Sequence, residues 1–345
     1  MTTAEKGIYT KSEILSQPES WKTTLDQLQQ ELDGKLPNIK NYDHVIFTGC
    51  GSTYYLSIWA SRLLQKELGI SSQSIPASEL WYDCQNWTAP FKNILLVTVS
   101  RSGETTETLY AIDEFQKTHR GDVVAITCYP ESKLAKKVPL TILSSAGKEK
   151  SIAQTRSFTN MMLAVLTLIK GEVPTGMSQQ LGESARLFLE EYAEKAKAIG
   201  RDPNNADYFF LGNGPLFGLA NEAMLKMKEM SLSYSEAFHF LEFRHGPMSM
   251  IKTQSVIIGM ISSWANEFEV AVLKDMKKLG GKIIILGVKD FSEAADVFFQ
   301  LPDQLPQVWL YPLYLPLLQL IAFECSLSKG LNPDKPENLT AVVEL

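Results

Sequence analysis

His44-Val45-Ile46-Phe47-Thr48-Gly49-Cys50-Gly51 is an apolar run that ends in Gly-x-Gly, and Asp207-Tyr208-Phe209-Phe210-Leu211-Gly212-Asn213-Gly214 repeats the pattern. Each run passes into a helix-like stretch. From Gly49 to Gly212 and from Gly51 to Gly214 the offset is 163 residues, and the same offset carries Glu79 of Ser78-Glu79-Leu80 onto Glu242 of Leu241-Glu242-Phe243. A second apolar run then ends in serines in each copy: Ile94 to Val99 before Ser100-Arg101-Ser102, and Val256 to Ile261 before Ser262-Ser263. A helical stretch and a third strand follow, Asp122 to Thr127 in the first copy and Lys282 to Gly287 in the second. Strands that alternate with helices imply right-handed βαβ units and a parallel sheet covered on both faces. The expected fold is two doubly wound α/β domains in tandem.

Length supports that reading, because 345 residues exceed what one compact core usually holds. The expected boundaries are an N-terminal helical arm at 1–40, a first domain at 41–170, a charged helical linker at 171–202, a second domain at 203–330 and a tail at 331–345. Within the arm, Ser20 is expected to cap a helix beginning at Trp21. The arm is too short to add a DNA-binding domain of ordinary size.

With 45% hydrophobic and 21% charged residues, the chain has the composition of a soluble globular protein. The formal net charge of -6 gives no general attraction to nucleic acid or to acidic membrane, so an anionic ligand needs a local site. The four cysteines, Cys50, Cys84, Cys128 and Cys325, form no CxxC pair. With only four histidines no metal-ligand cluster appears at usual spacing. Free thiols in a reducing cytoplasm are expected. The N-terminus lacks the apolar core of a signal peptide. The stretch from Trp309 to Cys325 is interrupted by Pro312, Pro316, Gln319 and Glu324, which reads as a buried loop and helix rather than a membrane span.

In doubly wound sheets, ligands sit beyond the carboxyl ends of the strands, where loops enter helix N-termini. Gly49-Cys50-Gly51-Ser52-Thr53 and Ser100-Arg101-Ser102-Gly103-Glu104-Thr105-Thr106 occupy such places. Glycines let the backbone approach a phosphate, and hydroxyls and a positive helix end can bind it. Neither the Gly-Lys-Ser/Thr ending of a nucleotide loop nor a dinucleotide fingerprint is present. A sugar phosphate fits better than ATP or NAD, although serines and threonines that merely cap helices give the same pattern.

Glu222, Lys226 and Glu229 follow i, i+4, i+7 spacing and so share one face of a helix. An exposed ion pair is the commoner explanation of such spacing. Nearby, Phe243-Arg244-His245-Gly246-Pro247 holds a histidine in a Gly-Pro turn. Moving a proton between C1 and C2 of a sugar needs an acid/base to open the ring and a carboxylate base, roles that suit His and Glu.

Ser100-Arg101-Ser102-Gly103-Glu104-Thr105, with Gly51-Ser52-Thr53 upstream, resembles the signature of the sugar isomerase (SIS) domain family. The 163-residue repeat resembles the tandem pair of such domains in the isomerase half of glucosamine-6-phosphate synthase. The resemblance runs from Glu13-Ile14-Leu15-Ser16-Gln17-Pro18 to the C-terminus. It implies that Thr53, Ser100, Arg101, Ser102 and Thr105 surround the substrate phosphate, with Ile152 and Gln154 contributing from Ala146-Gly147-Lys148-Glu149-Lys150-Ser151-Ile152-Ala153-Gln154-Thr155. Family members often carry glutamine at the place of Arg101 and serine at that of Gln154. By the same resemblance Glu229 shuttles the proton, His245 opens the ring, and Glu222 and Lys226 lie around the sugar. The family histidine comes from a neighbouring subunit, which implies a homodimer with shared sites.

Ala341, in Asn338-Leu339-Thr340-Ala341-Val342-Val343, stands where the synthase has the lysine that forms an imine with the ketose. A glutaminase domain and its cysteine nucleophile are also missing from the sequence. The expected chemistry is therefore the reverse sense, deamination of an amino-hexose 6-phosphate with glucosamine 6-phosphate first, with neither cofactor nor metal. Glu149 is a candidate helper at the imine. Removal of an amino acid from a fructosamine 6-phosphate, plain aldose-ketose isomerisation and a non-catalytic sugar-phosphate sensor are the alternatives.

Overall fold

In the computed structural model, which describes residues 6–32, 34–118 and 121–340, ten strands form two parallel sheets of five. The first contains β1 (His44–Gly49), β2 (Ser72–Pro76), β3 (Ile94–Val99), β4 (Asp122–Thr127) and β5 (Leu140–Leu143) in the order β2-β1-β3-β4-β5. The second contains β6 (Asp207–Leu211), β7 (Tyr234–Phe238), β8 (Ser255–Met260), β9 (Lys282–Gly287) and β10 (Val297–Gln300) in the order β10-β9-β8-β6-β7. Both are α/β sheets of doubly wound, flavodoxin-like order, and in each the chain reverses its direction of travel between the first and third strands in sequence.

Burial explains why the inner strands read so clearly. Every residue of β1, β3 and β8 is buried, as expected where helices cover both faces and a strand becomes a continuous run of Val, Ile and Leu. Strand β1 pairs with β3 in parallel register, Val45 opposite Leu95 and Phe47 opposite Val97, which sets the ends of both strands side by side. Strand β6 likewise pairs with β8, Leu211 opposite Gly259.

The two Gly-x-Gly turns adopt one conformation. Gly51 has φ 56° and ψ -124°, and Gly214 has φ 54° and ψ -127°. This is a left-handed region in which a side chain is strained. A Cβ on Gly49 would come within 2.5 Å of Thr53 Oγ1, and one on Gly212 within 2.5 Å of the Leu216 carbonyl oxygen. Both turns thus require glycine at both positions to bring strand and helix together.

Two compact units emerge, and neither is continuous in sequence. One comprises Ser16–Glu149 and Arg156–Gly182, with the first sheet. The other comprises residues 6–15, Lys150–Thr155 and Glu183–Leu339, with the second. The boundary falls inside one helix, Met177–Arg201.

The N-terminal arm differs from expectation. Its helices are Ile8–Leu15 and Gln17–Glu31, so Ser20 lies inside a helix and caps nothing. Pro18 in the first turn supplies a pre-set φ and starts the helix earlier than the serine suggests. The Ser20 hydroxyl donates to the Gln17 carbonyl at 3.0 Å and accepts from Asn160 Nδ2 at 2.9 Å. With Trp21 Nε1 donating to Thr159 Oγ1 at 2.8 Å and Thr24 donating to Asn160 at 2.6 Å, it fastens this helix to the helix Arg156–Lys170. The apolar stretch forms a short helix Gln307–Leu310, a 3-10 turn Tyr311–Tyr314 and a helix Leu315–Ser328. By length and composition 307–328 could cross a membrane, yet it is buried inside the protein.

Candidate active site

In the unit of the first sheet, the turn after β1 and the loop after β3 each lead into a helix, Ser52–Leu68 and Thr106–Thr118. Ser52, Thr53, Ser100 and Arg101 are buried there. The Ser100 and Thr105 hydroxyls lie 3.2 Å apart. Ser100 Oγ also accepts from the Gly103 amide at 3.1 Å, and Ser102 Oγ from the Glu104 amide at 3.2 Å. Gly103, at φ +66°, brings the loop so close to Ser132 that a Cβ would overlap its hydroxyl. The loop is thereby curled on itself, with its hydroxyls gathered ahead of a helix start, a place suited to an anion. Thr53 acts locally, since its hydroxyl accepts from the Cys50 amide and donates to the Cys50 carbonyl, both at 2.9 Å, which holds the Gly-x-Gly turn.

Cys50 sits in that turn, and burial followed by the Glu107 carboxylate pushes its thiol up to about 11. A thiol raised by about two pH units exposes roughly a hundredfold less thiolate at neutral pH. We expect iodoacetamide at pH 7.5 to modify Cys50 about a hundredfold more slowly than free cysteine, as read by mass spectrometry of the Cys50 peptide. Modification at the rate of free cysteine would show that the turn opens in solution.

Glu149 is fully committed within this unit. Its side chain is buried, accepts from the Ser157 amide at 3.2 Å, bonds to the Ser157 hydroxyl and faces Arg101 Nη1 at 3.6 Å. Arg101 thus turns toward Glu149, and the pair braces the loop after β3 against the start of the helix Arg156–Lys170.

In the unit of the second sheet, the Gly-x-Gly turn after β6 starts the helix Pro215–Ser231, which carries Glu222, Lys226 and Glu229. Lys226 Nζ lies 3.4 Å from Glu222 Oε1 and bonds to Glu229 Oε2. The side chains of Lys226 and Glu222 have no exposure, whereas Glu229 keeps 18%. The exposed ion pair that spacing alone favours is therefore ruled out. Two buried charges, Glu222 and Lys226, with a third only partly in water carry a large desolvation cost, which the bonding within the cluster helps to offset. Glu229 is the member that reaches the surface.

Ile152 and Gln154 belong to this same unit, although their sequence leaves the first sheet's half. The Ile152 amide donates to the Asp334 carbonyl at 3.3 Å, and Gln319 Nε2 donates to the Thr155 carbonyl at 3.2 Å. Gln319 lies on the helix Leu315–Ser328, which packs against the helix Pro215–Ser231. His245 follows the short helix Phe240–Phe243, with its amide donating to the Glu242 carbonyl at 3.0 Å. It is exposed, and among the described residues no hydrogen bond joins it to Glu229. Ala341 lies outside the described residues. No group of three or more His, Cys, Asp or Glu side chains among the described residues is placed to hold a metal ion.

Glu13, Ser157 and Asp334 hold these segments in place and have no signal of their own in the sequence beyond the position of Glu13 in a family-like motif. Their partners lie far away in sequence, where spacing carries no information.

Known proteins share the fold of this chain over nearly its whole length. Residues 38–171 match the SIS domain family. Over 338 residues the chain is 30% identical to a glutamine–fructose-6-phosphate aminotransferase (isomerizing) of Sulfolobus acidocaldarius, covering 96% of this chain and 55% of that protein. The chain thus spans about half the length of the curated relatives it matches. The crystal structure of glucosamine-6-phosphate deaminase from Thermotoga maritima superposes with a TM-score of 0.80 at 28% identity, covering 97% of this chain and 99% of that one. Tagatose-6-phosphate ketose/aldose isomerase from Escherichia coli, at 20% identity and a TM-score of 0.86 over 96% of both chains, shares the fold. With the hydroxyl-lined loops after β1 and β3 inside the matched span, the chain is similar to the SIS domain family over residues 38–171 and resembles part of glutamine–fructose-6-phosphate aminotransferase over nearly its whole length.

Proposed function

We propose that this protein is a deaminase and isomerase of an amino-hexose 6-phosphate, glucosamine 6-phosphate first, and that its second sheet is a second copy of the same domain. The observation that carries the reading is the buried Glu222-Lys226-Glu229 cluster, in which one carboxylate is held by a desolvated ammonium and still reaches the surface. A base must be ordered and accessible, and Glu229 is both. Similarity to a glucosamine-6-phosphate deaminase structure, at 28% identity over nearly the whole of both chains, supports this reading.

In this reading the hydroxyls of Ser100, Ser102 and Thr105 take the phosphate, with Gly51 and Ser52 at the start of the neighbouring helix. His245, supplied by the second subunit of a homodimer, opens the pyranose ring. Glu229 removes the C2 proton of the open-chain aldehyde and returns it to C1, which leaves an imine at C2. Water adds to that imine, ammonia leaves, and the ketose phosphate remains. Glu149, locked to Ser157 and Arg101, braces the cradle rather than attacking the imine, and Arg101 and Gln154 adapt the family's sugar contacts.

Product analysis tests this reading. Purified protein given glucosamine 6-phosphate is expected to yield ammonia and ketose 6-phosphate in equal amounts. Release of a free amino acid from a fructosamine 6-phosphate, with no ammonia from glucosamine 6-phosphate, would replace it with the deglycase reading.

A further inference from the structure

Resting on that reading, we propose that Glu13 is a positioning residue that sets the place of Ile152 and Gln154 at the substrate. Residues 149–155 have no regular secondary structure, so their amides find no partners in a helix or strand ladder. A buried amide without a partner is costly, and most find one. For Lys150 and Ser151 the partner is one carboxylate. Glu13, 3% exposed on the helix Ile8–Leu15, accepts from the Lys150 amide at 2.5 Å and from the Ser151 amide at 3.3 and 3.4 Å, and it bonds to the Ser151 hydroxyl.

The other end of that helix is anchored as firmly. Asp334 Oδ1 accepts from the Thr10 amide at 2.7 Å and from its hydroxyl at 2.8 Å, and Asn332 Oδ1 accepts from the Gly7 amide at 3.1 Å. The Asp334 carbonyl in turn receives the Ile152 amide. The helix Ile8–Leu15 is thus a strut with one acidic group at each end. Glu13 fixes the loop just before Ile152, and Asp334 fixes both the helix start and Ile152 itself. A carboxylate is needed because it presents acceptors only, so it can meet several donors without offering one of its own. Glutamine would turn an NH2 toward those amides.

Losing a charge-assisted hydrogen bond to a buried donor set corresponds to about a ten- to hundredfold effect. Glu13→Gln is expected to raise KM for glucosamine 6-phosphate by that factor while changing kcat by less than about threefold. Inhibition by inorganic phosphate, which senses chiefly the hydroxyl cradle, is expected to weaken by less than the rise in KM. Ser151→Ala removes a single donor, and about a threefold rise in KM is expected from it, so the test survives if Glu13→Gln does not fold. Hydrogen exchange supplies an independent reading: both variants should speed deuterium uptake in peptide 148–155 and leave peptide 100–106 unchanged. Unchanged KM in both variants overturns the proposal, as does unchanged exchange in 148–155. If the wild type deaminates no amino-hexose phosphate but exchange in 148–155 still rises, the proposed reaction fails while the fastening by Glu13 stands.

Discussion

Glu229→Gln is expected to lower turnover of glucosamine 6-phosphate by about 10²- to 10⁴-fold, the range typical for loss of a general base. The substitution keeps volume and an oxygen that can still accept from Lys226, so the helix Pro215–Ser231 retains its packing. What it removes is the group that takes the proton. KM and inhibition by inorganic phosphate are expected to change little, because the hydroxyl cradle belongs to the loops after β1 and β3 and not to this helix. A variant with wild-type turnover would assign the base to another residue.

Lys226→Met is expected to cost both activity and fold. Lys226 stands between two carboxylates with no exposure of its own, and breaking a buried pair by removing one partner costs about 3–5 kcal/mol. Methionine matches the length of the lysine stem, so the loss is electrostatic and not a cavity. Urea unfolding should show a lower midpoint with an unchanged slope. Adding Glu222→Gln, which removes the carboxylate left fully buried, is expected to restore part of that stability and none of the activity. If the single variant proves as stable as the wild type, the cluster relaxes to water and does not hold Glu229 rigidly.

The inner strands are legible in the sequence because burial on both faces selects apolar side chains along almost the whole of β1, β3 and β8. Edge strands escape. Ser72-Gln73-Ser74-Ile75-Pro76 forms β2 although only Ser72 and Ile75 are buried in it, since an edge strand is chosen by its neighbour's hydrogen bonds and not by its own hydrophobicity. Ser20 misleads because a serine before an apolar residue is a common cap, whereas Pro18 carries the true start. The hydroxyl loops are visible because they follow directly on strands. The face shared by Glu222, Lys226 and Glu229 is also visible as spacing, but spacing does not tell a solvated face from a buried one. Glu13, 137 residues from Lys150, and Asp334, 324 residues from Thr10, act through contacts that only the folded chain creates.

The most direct test follows the proton itself. Glucosamine 6-phosphate carrying deuterium at C2 is given to the wild-type protein and to Glu229→Gln, and the label is traced by NMR. The expected result is that the wild type moves deuterium from C2 to C1 of the ketose phosphate or releases it to water, while in Glu229→Gln it stays at C2. Retention of the label at C2 by wild-type protein that binds the substrate, or its loss at equal rates from both proteins, would contradict proton transfer by Glu229.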